Sequence, residues 1–331
     1  MKRRYNDQKP IRPDVMHPFL KWVGGKRQLL HELRPRYPQN FRRYIEPFVG
    51  SGAVFFDLYG SGILDGRDAW LVDDNPDLIG CYQMVRNHTE GVIAELETLA
   101  AGHRAGGEAH YYQVRDERFN PSRAAGGVYT PELAAMLIYL NRTGFNGLFR
   151  LNRSGEFNVP AGRYVNPRIC NAEHLRAVAA VLRDPHVAIE RGSFERPLAA
   201  AGAGDFVYCD PPYAPLSRTA SFANYTAKGF SNDDQARLQQ AVIAAAQRGA
   251  CVIVSNSSAP EIRRLYAGVE ARDAGLSIFP VLARRAINSS PGQRGPIAEL
   301  LATNMRANRG KVAVRMLPAV PRARTPERRR A

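Results

Sequence analysis

The sequence predicts an α/β protein built on a doubly wound, mostly parallel sheet that carries a helical insert. Apolar, strand-like runs lie near 44–48, 70–73, 186–190, 205–209 and 251–255. Helical patterns lie between or beside them, near 26–34, 76–86, 171–183 and 232–248. Strands that alternate with helices indicate βαβ units, whose strands pair in parallel. The segment from about 91 to 174 breaks this rhythm with paired glycines, an apolar helix near 131–141 and a loop rich in Asn, Gly and Arg, so we expect it to be an insert beside the sheet.

The charge of the chain is concentrated at its two ends. The 331 residues carry a formal net charge of +15, which suggests a polyanionic partner. Residues 304–331 hold nine Lys/Arg and one Glu, and residues 1–14 hold five basic and two acidic residues. Charge runs of this kind are typical of solvated, disordered arms. The loop 142–168, with five Arg and one Glu, is the better candidate for a specific nucleic-acid surface.

Cysteine usage and hydropathy predict a cytoplasmic protein. The four cysteines are widely spaced and form no C-x-x-C pair, which favours reduced thiols over a disulfide frame or a metal site. The basic residues 2–4 are not followed by the apolar stretch of a signal peptide. The longest strongly apolar run, 133–140, is too short to span a bilayer.

The most informative segment is the apolar run 205–209 followed by Asp210-Pro211-Pro212-Tyr213. A buried strand that ends in a stiff loop lies at the carboxyl edge of the sheet, where open α/β sheets bind ligands. Because proline has a fixed φ and no N–H, Asp210 and the Pro211 carbonyl can both direct acceptors at one amino group, while Tyr213 offers a flat face. This set suits an exocyclic amine on a heterocycle, such as N6 of adenine. A purely structural turn is the alternative.

A glycine turn after the first strand predicts a nucleoside site. Gly50 and Gly52 precede an apolar helix start and let a ligand approach the backbone closely. Phe55 stands where the dinucleotide fingerprint has its third glycine, which disfavours a pyrophosphate. The next strand ends at Asp73, about twenty residues on, where a carboxylate would meet ribose hydroxyls. A nucleoside without a pyrophosphate, such as S-adenosylmethionine, fits both observations.

A second glycine pair, Gly24-Gly25-Lys26, resembles the end of a phosphate loop. The earlier glycine of that motif is missing, because position 20 is Leu, and Arg27 replaces the required Ser or Thr. The sequence therefore argues against an NTPase.

Five blocks in one order resemble the Dam-type (D12 class, alpha group) DNA adenine-N6 methyltransferases. They are FLKWVGGK at 19–26, EPFVGSG at 46–52, YLNRTGFNGLFR at 139–150, GEFNVPAGRY at 155–164 and YCDPPYAPL at 208–216. The resemblance covers roughly residues 17–302 and implies a Rossmann-like methyltransferase sheet. It divides the chain into a catalytic domain in two parts (15–90 and 175–303), an inserted target-recognition domain (91–174) and a basic tail (304–331).

The resemblance also implies roles for individual residues. Methyl transfer from S-adenosylmethionine to N6 of adenine would use the catalytic residues Asp210, Pro211, Pro212 and Tyr213. Trp22 and Lys26 would line the methionine end of the donor, and Phe194 would lie near its adenine ring. The expected donor site comprises Trp22, Lys26, Phe48, Gly50, Gly52, Asp73, Phe194 and Asp210. The mechanism requires positioning and electrostatics, with no metal.

The expected partner is double-stranded DNA, from which the target base is flipped out. The resemblance implies that Phe145 wedges into the base stack, that Leu148 touches a thymine methyl group and that Arg150 reads a guanine edge, within the sequence GATC. Phosphate contacts are expected from Arg142, Arg153 and Arg163. The full expected DNA surface comprises Arg142, Phe145, Asn146, Leu148, Arg150, Arg153, Pro160 and Arg163. We expect the protein to be a monomer.

Three other functions compete with this interpretation. Protein-amide methyltransferases usually carry Asn in place of Asp210, which argues against that class. An RNA adenine-N6 methyltransferase is compatible with the catalytic loop but does not explain the recognition block. A catalytically inactive DNA-binding protein is disfavoured by the intact Asp210, Tyr213, Gly50, Gly52 and Asp73.

Overall fold

The computed structural model describes residues 16–22, 24–214, 229–284 and 296–306. The predicted arm 1–14, positions 215–216 and the tail beyond 306 lie outside the described residues. The described residues form one seven-stranded sheet, made of β1 (Arg43–Glu46), β2 (Asp68–Asp73), β3 (Val187–Arg191), β4 (Asp205–Cys209), β5 (Cys251–Ser257), β6 (Ser277–Arg284) and β7 (Pro296–Thr303). The first five strands lie where the sequence predicts them.

The strand order across the sheet is β3-β2-β1-β4-β5-β7-β6. β1 pairs in parallel with β2 and β4, β3 is parallel to β2, and β5 is parallel to β4. β7 is antiparallel to both of its neighbours, β5 and β6. The doubly wound, mostly parallel α/β sheet is therefore confirmed. The order reverses between the adjacent strands β1 and β4, and this switch point is where open α/β sheets bind ligands.

The helices cover both faces of the sheet, and three of them begin after a residue whose side chain caps the helix. Ser231 and Asp234 form a complete capping box, as expected for a helix that starts after Ser231. The Asn75 side chain accepts hydrogen bonds from two backbone N–H groups of the helix that follows β2. The helices are α1 (Leu30–Leu33), α2 (Ala53–Gly60), α3 (Pro76–Asn87), α4 (Thr89–Gln113), α5 (Asn120–Ala124), α6 (Pro131–Thr143), α7 (Ala172–Leu182), α8 (Glu195–Ala200), α9 (Asn232–Gln247), α10 (Pro260–Tyr266) and α11 (Val269–Asp273). Of these, α3, α6 and α9 follow a capping side chain.

The segment 91–174, all of it described, adds no strand to the sheet. It contains most of α4, α5, α6 and a hairpin over residues 144–162. Helix α6 packs against α3 and α4, and its buried side chains join the hydrophobic core that covers one face of the sheet. The predicted limits of the insert, 90/91 and 174/175, fall inside α4 and α7. The division into domains stays a prediction.

Helix α4 and strands β6 and β7 are among the elements that were not predicted, and glycine or proline explains these three. Helix α4 contains glycines, and its backbone leaves helical geometry at Gly107, where φ is +53°. Strand β6 contains Pro280, which an edge strand tolerates because one side of its backbone needs no partner. Strand β7 begins at Pro296. Among the described residues, no helix is both long and apolar enough to cross a membrane.

Candidate functional site

The glycine turn after β1 and the carboxylate at the end of β2 lie in direct contact. Gly50 and Gly52 have φ of +49° and +68°, a region that L side chains rarely adopt. The Gly50 N–H donates to Asp73 Oδ2 (3.1 Å), and the Asn75 N–H donates to Asp73 Oδ1 (3.0 Å). Burial raises the pKa of Asp73 to about 6, against the effect of these backbone hydrogen bonds. The predicted partners are thus brought together, and Asp73 holds the shape of the turn.

Both glycines are also required by close packing. A Cβ on Gly50 would lie 3.1 Å from the Trp22 ring, and a Cβ on Gly52 would lie 3.0 Å from the Tyr82 hydroxyl oxygen. The Tyr82 hydroxyl donates to the Gly50 carbonyl (3.2 Å). Trp22 stacks on Phe149 of the 144–162 hairpin, with ring centroids 5.5 Å apart. Trp22 therefore connects the glycine turn to the insert.

Aromatic rings line the site next to this turn. The rings of Phe48 and Phe194 lie 5.4 Å apart and nearly parallel. Phe230 contacts both of them, at 5.8 and 6.0 Å. The sequence predicted Phe48 and Phe194 for this site but not Phe230. The one local indication for Phe230 was its position just before Ser231, the N-cap of α9. Together these rings form an apolar wall that suits a planar heterocycle.

The loop after β4 brings three predicted residues to one point. Lys26 Nζ lies 2.7 Å from Asp210 Oδ1 and 4.5 Å from the centroid of the Tyr213 ring. Lys26 is only 3% exposed, and its ammonium group also donates to the Gly24 carbonyl (2.6 Å). Burial raises the pKa of Asp210 to about 6, although the neighbouring Lys26 opposes this rise. The ammonium group shows that a hydrogen-bond donor fits between the Asp210 carboxylate and the Tyr213 ring.

Three polar side chains that the sequence did not reveal hold this loop in place. Gln235 Nε2 on α9 donates to the Pro212 carbonyl (2.8 Å). Asn256 Nδ2 on β5 donates to Gln235 Oε1 (2.9 Å), and the Tyr213 hydroxyl donates to Glu299 Oε2 on β7 (2.6 Å). The sequence could have indicated Asn256, because it is a polar residue at the end of an apolar strand. Gln235 and Glu299 carried no such local signal.

The 144–162 hairpin carries most of the residues that are expected to contact DNA. Bridges pair Gly144 with Ala161 and Leu151 with Phe157, and the Phe145 N–H donates to the Pro160 carbonyl (2.9 Å). The Phe145 side chain is 46% exposed. Asn146, Arg153, Pro160 and Arg163 are likewise exposed, whereas Leu148 and Arg150 are half-buried.

The hairpin arginines differ in their surroundings. Arg150 Nε donates to Asn158 Oδ1 across the hairpin (2.8 Å). Arg142, on α6, instead donates to the Phe19 carbonyl (2.7 Å), and burial lowers the pKa of its guanidinium. Arg142 is half-buried, and this hydrogen bond uses one of its guanidinium N–H groups. The phosphate contact of Arg142 stays a prediction. A basic residue that was not predicted, Lys21, lies with its Nζ 4.3 Å from the exposed Tyr164 ring on the same surface.

Comparison with known proteins assigns this site to a family. The family model of the D12 class N6 adenine-specific DNA methyltransferases matches residues 22–286. The chain belongs to this family. It is therefore an adenine-specific, site-specific DNA methyltransferase, as the resemblance implied, and its sheet is the Rossmann-like sheet of a methyltransferase. This assignment favours DNA over the RNA and protein-amide alternatives.

Several curated relatives are similar over nearly their whole length. The chain is 39% identical over 298 residues to the type II methyltransferase M.MjaIII of Methanocaldococcus jannaschii, covering 87% of this chain and 98% of the relative. It is 36% identical over 289 residues to the type II methyltransferase M1.LlaDCHI of Lactococcus lactis subsp. cremoris (87% and 95%). It is 37% identical over 284 residues to the DNA adenine methylase of Escherichia coli K12 (86% and 94%).

Proposed function

We propose that this methyltransferase uses S-adenosylmethionine to methylate N6 of an adenine that is flipped out of duplex DNA, within the sequence GATC. The observation that carries the proposal is the convergence of Asp210, Tyr213 and the Gly50 turn at the switch point of the sheet. The ammonium of Lys26 lies close to both Asp210 and the Tyr213 ring, which supports a place there for a nitrogen that donates hydrogen bonds.

The described residues fit the methyl donor. Gly50 and Gly52 give the turn a positive-φ shape that other residues rarely adopt, and this fixes its course beside the expected donor site. Asp73 ends β2 with a carboxylate for ribose hydroxyls, and the wall that contains Phe48 and Phe194 suits an adenine ring. Trp22 and Lys26 would hold the methionine end. When bound, S-adenosylmethionine supplies an electrophilic methyl group on a sulfonium.

The loop after β4 would activate the target nitrogen. The lone pair of an adenine amine is delocalised into the ring, so the amine is a poor nucleophile. Hydrogen bonds from N6 to the Asp210 carboxylate and the Pro211 carbonyl would draw the nitrogen towards a tetrahedral shape and expose its lone pair. Pro212 keeps this backbone stiff, and Tyr213 would stack on the base. A carboxylate whose pKa is about 6 can also accept the proton that N6 loses after methylation.

The buried position of Asp210 supports base flipping, because its side chain is only 18% exposed. A base inside a duplex cannot reach such a group, and unstacking costs a few kcal/mol. Phe145 would fill the gap in the stack. Arg153 and Arg163 would bind phosphates, and Leu148 and Arg150 would read base edges. The surface also includes Asn146, Pro160 and Arg142.

Donor binding is tested by Asp73→Ala with the exposed neighbour Asp74→Ala as the matched control. We expect calorimetry to show weaker binding of S-adenosylmethionine by the first variant only, because only Asp73 contacts the glycine turn. DNA affinity should be retained in both variants. Equal donor affinity in both would remove Asp73 from the donor site.

Target choice is tested in a host that lacks adenine methylation, by sequencing its DNA after expression of each variant. Wild type should methylate GATC, and Asp210→Ala should methylate nothing. Arg150→Ala should relax the choice at one guanine by about ten- to a hundredfold, since a bidentate arginine contact contributes about 1–3 kcal/mol. Arg163→Ala is the control, and its activity should fall equally on GATC and on single-base variants. A wild-type preference for another sequence would refute GATC while leaving the methyl-transfer residues untouched.

A further inference from the structure

Glu299 lies on β7, far in sequence from the catalytic loop, yet it is bonded to that loop. The register pairs Glu299 with Ser257 on β5 and with Val281 on β6, so its position at the site is set by two neighbouring strands. Glu299 Oε2 accepts the hydrogen bond of the Tyr213 hydroxyl at 2.6 Å. Such a short contact between a hydroxyl and a carboxylate is a strong, charge-assisted hydrogen bond.

We propose that Glu299 is a positioning residue for methyl transfer, acting through the Tyr213 hydroxyl to fix the plane of the ring that faces the target adenine. This inference rests on the proposed role of Tyr213. A tyrosine ring that is fixed only at its Cβ can rotate about its two side-chain torsions. An anchor at the hydroxyl removes that freedom at the far end, so the stacking surface is already oriented when the base arrives.

The surroundings of Tyr213 support this role. On one side the ring faces Lys26 Nζ at 4.5 Å, and the same ammonium is bonded to Asp210. At its other end the ring is held by Glu299. Burial, together with the charges of Asp210 and Glu299, raises the pKa of Tyr213 well above its usual value. The hydroxyl therefore keeps its proton at neutral pH and remains a donor to Glu299.

The test is a double-mutant cycle on the single-turnover rate of methyl transfer, using Glu299→Ala, Tyr213→Phe and the double variant. Tyr213→Phe keeps the ring and removes only the hydroxyl. We expect each single variant to lower the rate about tenfold, as for the loss of one orienting hydrogen bond. The double variant should be no slower than either single variant, because both changes break the same contact. Glu299→Gln, which keeps an acceptor oxygen, should recover part of the rate.

A control separates positioning from strand stability. Thr303, at the other end of β7, donates through its hydroxyl to the Val252 carbonyl (2.6 Å). Thr303→Val should lower the melting temperature but leave the rate at the wild-type value. If the losses from Glu299→Ala and Tyr213→Phe multiply in the double variant, or if neither changes the rate, the role of Glu299 is refuted. The role of Tyr213 itself is tested apart by Tyr213→Ala, whose failure to slow the reaction would refute the stacking proposal instead.

Discussion

The catalytic loop of this methyltransferase is held by a buried amide pair, and removing one member should slow catalysis as well as destabilise the fold. Gln235 is 2% exposed, and it joins the Pro212 carbonyl to Asn256 on β5. Gln235→Leu keeps a similar volume but leaves the Pro212 oxygen and the Asn256 amide without this partner. Each buried polar group left unpaired costs about 1–3 kcal/mol, so we expect the two groups together to lower the free energy of unfolding by about 2–6 kcal/mol.

The effect on the rate follows from the position of the carbonyl that is released. Pro212 adjoins the Pro211 carbonyl that would bind N6, and a displacement of about 1 Å at a reacting centre can cost about a hundredfold in rate. We therefore expect single-turnover methyl transfer to fall by roughly ten- to a hundredfold, with donor affinity retained. Rapid quench with labelled donor measures the rate, and calorimetry measures the affinity.

Helix α9 offers a matched control one turn further along. Gln239 is 6% exposed, and it donates to the Leu265 carbonyl (3.2 Å), which does not belong to the catalytic loop. Gln239→Leu should lower stability by about 1–3 kcal/mol while keeping the wild-type rate. Equal rates in Gln235→Leu and Gln239→Leu would show that the amide pair stabilises the fold without positioning the loop.

Three further predictions concern charge, backbone and the insert. Burial raises the pKa of Asp210 from 3.8 to about 6, and the proposed acceptor is the ionised form. The single-turnover rate should therefore fall as the pH drops through about 6, and a rate that does not change between pH 5 and 8 would contradict this. Gly52→Ala should destabilise the protein more than Gly66→Ala in thermal melts, since both have φ near +67° but only Gly52 lacks space for a Cβ. Arg123→Met should cost about 3 kcal/mol in urea unfolding, because it leaves the buried Asp77 carboxylate without its 2.8 Å partner; a loss below about 1 kcal/mol would exclude that pairing as a stabilising contact.

Local motifs predicted the groups that we propose to react, while the groups that hold their loop come from distant parts of the sequence. The turn at Gly50 and the loop at Asp210 follow apolar strands, so period and turn chemistry alone locate them at the sheet edge. Gln235, Asn256 and Glu299 reach the loop from three other elements, and no short window of sequence contains both partners of those contacts.

Arg142 has a contact that the sequence did not predict, although its charge was evident. Arg142 belongs to an arginine-rich segment, and charge alone made it a candidate for a phosphate contact. The side of α6 on which it lies turns it towards Phe19, whose backbone carbonyl accepts a hydrogen bond from one of its guanidinium nitrogens. Burial on a helix that is apolar on most sides cannot be assigned from periodicity, because the helix shows no clear polar face.

The reversed strand β7 has a consequence for the order of synthesis. It enters the sheet between β5 and β6, both of which precede it along the chain. Until the ribosome has added the residues from 296 onwards, the edge of β5 lacks β7 as its pairing partner. Unpaired strand edges of this kind favour misassociation. A nascent chain can thus contain the glycine turn and Asp210 before β7 pairs with β5. Competence for methylation would then appear late, when the last strand inserts and Glu299 reaches Tyr213.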